Sequence, residues 1–209
     1  MLQRGKQCIV LIPEIALTYQ TLLRFYKRFG DAVSVMHSRL SAGERYDQMK
    51  RAKRGEVQVM IGPRSALFTP FQKLGLIIID EEHETSYKSD SMPKYHAREV
   101  AVHLAEMTDA CVVMGSATPS LEANYRAQQG IYKKYVLSER IGDAVLPEVQ
   151  IVDMRQELAG GNSSIFSRHL ETAIADRLEK RQQVMLFLNR RGISGFVSCR
   201  ACGYVMKCP

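Results

Sequence analysis

Short, mostly apolar runs, each followed directly by a polar residue, a proline or a glycine, recur along the first half of the sequence. The runs are Cys8–Ile12, Ala32–Met36, Val57–Ile61, Leu74–Ile79 and Cys111–Met114. Each has the length of a buried strand, and the stretches between most of them carry apolar residues at helical spacing. Aliphatic strands that alternate with helices are typical of a parallel sheet covered on both faces. We therefore expect an α/β fold whose strands all end at one edge, where such folds bind ligands.

Helices are predicted between these strands. Ser41 and Glu44 form a capping-box pair that predicts the start of one helix, which ends near Gly55. Pro119 suits the first position of another helix. The other predicted elements are helices over 17–29, 96–107 and 167–180 and strands over 149–152 and 184–188. The stretch 137–147 has no strong period and is predicted to connect two lobes.

The composition excludes several classes of protein. The 209 residues include 29 Lys and Arg against 22 Asp and Glu, a net charge of +7, and 45% are hydrophobic. This composition is typical of a soluble globular protein, and the basic excess favours a polyanionic partner. No apolar run approaches the roughly 20 residues that span a membrane, and no secretory leader is evident, so we expect no membrane association and a cytoplasmic location. Five cysteines, an odd number, argue against a disulfide framework.

The strongest chemical signal follows the fourth run, where Ile79 leads directly into Asp80-Glu81-Glu82-His83. A strand that ends in a carboxylate can present Asp80 to Mg²⁺, which prefers oxygen ligands. Glu81 beside it could orient or deprotonate a water that attacks a phosphoanhydride. The structural alternative is an acidic helix start that is stabilised by the helix dipole.

A second motif follows the fifth run and reads Gly115-Ser116-Ala117-Thr118-Pro119-Ser120. Its hydroxyl groups could bridge to the acidic motif, because the two strands end at the same edge of the sheet. The alternative is an ordinary helix cap.

Several polar residues near strand ends could contact nucleic acid. Thr18, Arg64 and Ser65 follow strands closely, where backbone amides, a hydroxyl and a guanidinium can meet phosphates. The alternative for Arg64 is a solvated side chain beside a Gly-Pro turn. A basic and aromatic loop follows the acidic motif, and its rings could stack on unpaired bases. It contains Tyr87, Lys88, Lys94, Tyr95, His96 and Arg98. Tyr95 could equally anchor the next helix in the core.

The cysteines divide into two groups. Cys199 and Cys202 have the spacing of half a zinc site, but only Cys208 follows them, so the ligand count is short of the four that zinc requires. Cys8 and Cys111 lie within predicted strands and are expected to be packed thiols.

These motifs together resemble a known family. Asp80–His83 and Gly115–Ser120 resemble motifs II and III of superfamily 2 helicases. Five further strings resemble, more narrowly, the primosomal replication-restart helicases of bacteria (the primosomal protein N′ family). They are LIPEIALT (11–18), IGPRSALFTPF (61–71), YHAREVAV (95–102), FLNRRG (187–192) and CRACG (199–203).

The resemblance implies a RecA-like fold and an ATP-dependent helicase that moves 3′ to 5′ on DNA, binds single-stranded and forked DNA and restarts stalled replication. It implies ATP, Mg²⁺ and Zn²⁺ as cofactors, and primosome proteins and a single-stranded-DNA-binding protein as partners. By the same resemblance Asp80 would bind Mg²⁺, Glu81 would be the general base, and His83, Ser116 and Thr118 would couple hydrolysis to movement. Pro13, Glu14, Thr18, Arg64 and Ser65 would face DNA, and the loop residues Tyr87, Lys88, Tyr95 and His96 would join them.

The resemblance also suggests an internal fragment. We expect 1–140 to be a first helicase lobe without its phosphate-binding loop, 141–195 the beginning of a second lobe, and 196–209 the start of a zinc-binding region. The sequence contains no GxxxxGK[ST] motif, and no arginine finger is recognised, so the isolated chain is expected to be inactive as an ATPase.

Two alternatives stay open. The chain could be a non-catalytic remnant of such a helicase that binds DNA or a partner. It could also be an unrelated metal hydrolase built on Asp80, Glu81, Glu82 and His83, although no HExxH motif supplies further ligands.

Overall fold

The first part of the chain folds around a parallel sheet. The structure is a computed structural model that describes residues 1–139, 146–187 and 204. Contacts divide the chain into two units, Met1–Val136 and Leu137–Pro209. The strands of the first unit are β1 (Gln7–Leu11), β2 (Val33–Val35), β3 (Val59–Gly62), β4 (Leu74–Ile79) and β5 (Cys111–Met114). They pair in parallel in the order β2-β3-β1-β4-β5, which confirms the predicted α/β class.

Four helices of the first unit connect or follow the strands. They are α1 (Tyr19–Phe29), α2 (Ala42–Lys53), α3 (Ala97–Thr108) and α4 (Leu121–Gln128). The capping box is confirmed, because the Ser41 side chain and the Glu44 side chain each accept a hydrogen bond from the other residue's backbone N–H. The prediction for Pro119 is wrong. Ser120 caps α4 by accepting a hydrogen bond from the Ala123 N–H, so Pro119 lies before the cap.

Alternate residues of the strands pack on opposite faces of the sheet. On one face Ile9, Leu11 and Ile77 share a buried cluster with alanines of α2 and α3. On the other face Cys8, Val10 and Ile61 pack with Leu22, Phe25 and Phe29 of α1. This alternation is the period-two pattern of a strand buried on both sides. The core packs both faces of the central strands, whose carboxyl ends lie together at one edge of the sheet.

Strand β5 is less covered than the sequence predicts. Val113 is 47% exposed, and Cys111 is also exposed, so the expectation that the Cys111 thiol is packed is wrong. The physical reason is position: β5 is the last strand of the sheet, and the cluster on the α1 face ends at Leu76 and Ile78 of β4. Cys8, on the central strand β1, is buried as expected. Burial raises the pKa of the Cys8 thiol to about 11.

The described part of the second unit contains two helices and no strand. It contains α5 (Met154–Ala159) and α6 (Arg168–Glu179), and α6 begins at its cap Ser167 as predicted. The strand predicted over 149–152 is absent, and so is the described part, 184–187, of the strand predicted over 184–188. Ile151 is 95% exposed and Met185 is 93% exposed. An apolar run becomes a strand only where a neighbouring strand accepts its hydrogen bonds, and neither run has such a neighbour among the described residues.

No helix within the described ranges has the length and apolar character to cross a membrane.

Gly62 offers a direct test of the packing at the end of β3. A Cβ at this position would lie 2.5 Å from the backbone oxygen of Met36, which cannot easily move. We expect Gly62→Ala to lower the free energy of unfolding by about 1–3 kcal/mol through overpacking. Gly43→Ala is the matched control, because it lies in α2 with no neighbouring atom within 4 Å and should stabilise by about 0.5–1 kcal/mol. Urea denaturation measures both, and equal effects would contradict the close approach at Gly62.

Candidate active site and nucleic-acid cleft

Two turns that follow β4 and β5 meet at the carboxyl edge of the sheet. We name them the acid turn (80–84) and the hydroxyl turn (115–118). The Asp80 N–H donates to the Leu11 carbonyl at 2.9 Å, and the Gly115 N–H donates to the Ile79 carbonyl at 2.9 Å. A Cβ at Gly115 would lie 3.9 Å from an Asp80 carboxylate oxygen. The sheet therefore brings the two motifs side by side, as the sequence predicts.

Asp80 and Glu81 present carboxylates at this edge. Asp80 is exposed, and its carboxylate accepts one hydrogen bond, from the Glu81 N–H at 3.1 Å. Glu81 has a φ of 47°, in the left-handed region that residues other than glycine rarely adopt. The Asp80 carboxylate keeps acceptor capacity for a hard cation. Mg²⁺ is commonly held by one or two carboxylates together with waters and phosphates, so the donor set fits Mg²⁺ bound with a nucleotide.

His83 links the two turns directly. Its Nδ1 lies 2.7 Å from the Ser116 hydroxyl, and its Nε2 lies 3.4 Å from the Thr118 hydroxyl. The Glu81 carboxylate lies 3.6 Å from the same Nδ1. The Ser116 hydroxyl also accepts a hydrogen bond from the Thr118 N–H at 3.0 Å. The structure thus brings together all five residues that the sequence predicts for catalysis and coupling: Asp80, Glu81, His83, Ser116 and Thr118.

Glu82 is a further functional candidate, to which the sequence motifs alone assign no separate role. Its side chain is 2% exposed and pairs with Arg98 of α3 at 3.1 Å. The Ser120 N–H and hydroxyl donate to the same carboxylate at 2.6 and 3.0 Å. The sequence does not indicate its burial, because Glu82 is one of four acids in 80–84 and nothing in the pattern distinguishes it from the three that are less buried.

Tyr87 occupies a different environment from the one predicted. It is 1% exposed, and its hydroxyl donates to the backbone carbonyl of Asp80 at 2.7 Å. Burial, and then the charge of Asp80, raise the pKa of the Tyr87 phenol. A buried ring has no free face for a base, so the stacking role that was expected of Tyr87 is corrected to an anchor beneath the acid turn.

A cleft of about 880 Å³ lies at the ends of β1, β2 and β3, beside the loop that follows the acid turn. It contains six of the residues predicted to contact DNA: Pro13, Glu14, Arg64, Ser65, Tyr87 and Lys88. His37, Ser38 and Arg45 also line it and were not predicted. The rule that parallel strands end at one edge could have found His37 and Ser38, since they follow the second strand.

Contacts within the cleft hold its walls in place. One Arg64 nitrogen donates to the backbone carbonyls of Ser86 and Lys88 at 3.1 and 2.6 Å. Glu14 accepts a hydrogen bond from the Ser38 N–H at 3.1 Å. Hydrogen bonds from Ser38 hold the pKa of the Glu14 carboxyl below its usual value. Part of the Arg64 guanidinium is therefore bonded to the loop after the acid turn rather than facing solvent.

The remaining predicted DNA contacts lie outside the cleft lining. Thr18 caps α1 by accepting a hydrogen bond from the Thr21 N–H at 3.2 Å. Tyr95 is half-buried and packs edge-on against Phe68 with ring centroids 5.5 Å apart. His96 caps α3, and burial, followed by the charge of Arg98, lowers its pKa. These three side chains have local structural partners, although Thr18 itself is exposed.

The predicted zinc ligands Cys199, Cys202 and Cys208 lie outside the described residues. Over the described ranges no cluster of three or more His, Cys, Asp or Glu side chains could hold a metal by itself. The zinc prediction is therefore untested.

Comparisons with known proteins fit this geometry. The chain is 54% identical over all its 209 residues to the Replication restart protein PriA of Bacillus subtilis (strain 168), of which it covers 26%. It is 52% identical to the protein of the same name from Synechocystis and 46% identical to that from Chlamydia trachomatis, covering 26% and 28% of them. The chain thus spans about a quarter of the length of these relatives. Residues 1–126 match the DEAD/DEAH box helicase model.

That match covers more than half of the chain and includes both turns. The chain therefore belongs to the DEAD/DEAH box helicase family.

Proposed function

We propose that this chain is a segment of an ATP-dependent DNA helicase that restarts stalled replication, and that it contributes the acid and hydroxyl turns of the nucleotide site. The observation that carries the proposal is the meeting of the two turns through His83, with Nδ1 at 2.7 Å from the Ser116 hydroxyl. The relatives named as replication restart proteins support the biological role.

The chemistry of the proposal divides among the residues of the two turns. Asp80 would hold Mg²⁺, and bound Mg²⁺·ATP supplies the leaving group and the neutralising charge. Glu81 orients the attacking water and accepts its proton, which is the role of a general base. The His83 ring lies between the two turns: Nδ1 contacts the Glu81 carboxylate and the Ser116 hydroxyl, and Nε2 contacts the Thr118 hydroxyl. His83 therefore couples the position of Glu81 to that of the hydroxyl turn. A shift of either turn must therefore change the other.

The cleft would receive the sugar-phosphate backbone of single-stranded DNA. Arg45 and Lys88 supply charge, and the hydroxyls of Ser38 and Ser65 can donate to phosphate oxygens. We propose that the helicase moves 3′ to 5′ along DNA held in this cleft, including the single-stranded region of a fork.

If DNA binds in this cleft, its affinity should depend on the salt concentration. We expect the affinity of the chain for fluorescein-labelled single-stranded DNA to fall as salt rises, because phosphate contacts release counterions. Arg45→Gln with Lys88→Gln should reduce the slope of log affinity against log salt by roughly 1.4, or 0.7 for each lost contact. The control is Lys133→Gln with Lys134→Gln, two lysines that do not line the cleft. Anisotropy titrations measure both, and an unchanged slope in the Arg45/Lys88 variant would exclude the cleft as the DNA site.

The finer features remain parts of the proposal. A replication-restart role implies primosome proteins and a single-stranded-DNA-binding protein as partners, and work on the bacterial chromosome implies a cytoplasmic location. The second helicase lobe after residue 140 and the zinc region from residue 196 are predictions of the family resemblance.

We also propose that the 209-residue chain alone does not hydrolyse ATP, since its sequence contains no GxxxxGK[ST] loop to hold the phosphates. A chimera in which this chain replaces the aligned segment of the Bacillus subtilis relative supplies the rest of a complete protein. DNA-dependent ATP hydrolysis by the chimera, with none by the chain alone, supports the proposal. A folded chimera without activity would favour the alternative, a non-catalytic remnant that binds DNA or a partner.

A further inference from the structure

A buried ion pair lies directly behind the acid turn. The Glu82 side chain is 2% exposed, the Arg98 side chain is 7% exposed, and the two are 3.1 Å apart. Removing two charges from water is costly, and a buried pair often stabilises no more than apolar residues of the same size would. The pair is therefore better explained by the geometry that it imposes than by the stability that it adds.

Ser120 closes the network. Its N–H and hydroxyl donate to the two oxygens of the Glu82 carboxylate, and its hydroxyl accepts a hydrogen bond from Arg98 at 2.8 Å. The same hydroxyl caps α4 by accepting the Ala123 N–H at 3.2 Å. Every charged group in the network thus has partners, as a buried polar cluster requires. We call Glu82, Arg98 and Ser120 the clamp.

The clamp joins three segments of the proposed machinery. Glu82 stands between Glu81 and His83, Arg98 lies in the first turn of α3, and Ser120 follows the hydroxyl turn. The Glu82 N–H also donates to the Gly115 carbonyl at 3.0 Å. Both the backbone and the side chain of Glu82 are therefore held by neighbouring segments. This fixes the chain on either side of it, including the left-handed Glu81.

We propose that Arg98 and Ser120 are positioning residues for the acid turn. They hold Glu82, and through it they place Glu81 and His83 against the hydroxyl turn. The turn carries four carboxylates within five residues, 80–84. Arg98 neutralises the one that points inward, so Glu82 can be buried while Asp80 and Glu81 stay at the edge. The catalytic meaning of this role rests on the proposed function, whereas the clamp itself is testable without nucleotide or DNA.

The experiment uses the 209-residue chain and backbone amide exchange measured by NMR. The amides of Glu82 and Ser120 report the clamp, and the Met36 amide, which donates to Ile61 at 2.7 Å, reports the sheet. In the double variant Arg98→Gln with Glu82→Gln, which removes the ion pair without leaving a charge buried, we expect the two clamp amides to exchange about tenfold faster or more while the Met36 amide is little changed. Arg98→Lys keeps the charge and should restore most of the protection. Arg126→Gln, which removes a partly exposed partner of Glu99, is the control.

The imidazole signal of His83 provides the second readout. A positioning role requires this signal to move in Arg98→Gln and in Ser120→Ala, because the hydrogen bond between His83 and Ser116 loses its support. Equal acceleration of exchange at the clamp and Met36 amides, with an unmoved His83 signal, would show that Arg98 contributes only to overall stability. That result would overturn the proposal. Unchanged clamp amides in the double variant Arg98→Gln with Glu82→Gln would overturn it as well. A failed helicase assignment would appear instead as loss of DNA binding or of chimera ATPase with the clamp results intact.

Discussion

In the chimera with the Bacillus subtilis relative, Glu81→Gln is expected to reduce DNA-dependent ATP hydrolysis by about a hundredfold to ten-thousandfold, which is the usual contribution of a general base. The amide of Gln is close in size to the carboxylate but cannot accept the proton of the attacking water. Nucleotide binding should persist, because Asp80 and its acceptor capacity are unchanged. Steady-state ATPase kinetics, together with a binding titration of a labelled nucleotide, measure the two effects separately.

The matched control for this experiment is Glu84→Gln, a carboxylate on the same acid turn. It changes the local charge by the same amount, so it separates the position of the lost carboxylate from its electrostatic effect. We expect its turnover to stay within a few-fold of the unsubstituted chimera. Similar losses from both substitutions would show that charge at the turn, rather than a base at residue 81, governs the rate.

Arg98→Met is expected to lower the free energy of unfolding of the first unit by roughly 3–5 kcal/mol, because it leaves the Glu82 carboxylate buried without its ion-pair partner. Arg98→Met with Glu82→Gln should recover most of this loss, since the uncompensated charge is then removed. Intrinsic tyrosine fluorescence during urea denaturation is a selective readout. The chain has no tryptophan, and of its 9 tyrosines only Tyr204 lies outside the unit Met1–Val136.

The control for the ion pair is Arg54→Met. Arg54 lies 3.7 Å from Glu56, and both side chains are largely exposed, at 60% and 48%. Exposed pairs contribute little, so this substitution should cost less than about 1 kcal/mol. If Arg98→Met and Arg54→Met destabilise equally, Glu82 is not held in a buried pair, and the clamp does not exist in solution.

The sheet was predictable because its signal is local and strong. Runs such as Leu76–Ile79 are uniformly aliphatic, and a chain buries such a run only between covered faces. The position of the acidic motif at a strand end then follows from the sequence alone. The runs at 149–152 and 184–187 have similar composition but no strand beside them in the described ranges, so composition without a partner misled the prediction.

The environment of individual polar residues was less predictable. Nothing in the sequence distinguishes the buried Glu82 from the exposed Asp80, because only the approach of α3 and of Ser120 makes the difference. Tyr87 is an aromatic residue in a basic loop, a pattern that suits base stacking as well as it suits burial. The ring is buried because of the fold around Asp80, whose backbone carbonyl accepts a hydrogen bond from its hydroxyl. Such long-range contacts are set by tertiary packing, which local patterns do not encode.

We propose that Asp80 would hold a nucleotide-bound metal at the sheet edge where the acid and hydroxyl turns meet. The most direct test is metal-directed cleavage of the chimera with Fe²⁺ in place of Mg²⁺, in the presence of ATP, ascorbate and peroxide, with the cut sites located by mass spectrometry. We expect cuts within residues 80–83 and 115–118 that require ATP and disappear in Asp80→Asn. Cuts confined to other segments, or cuts at the two turns that persist in Asp80→Asn, would contradict the claim.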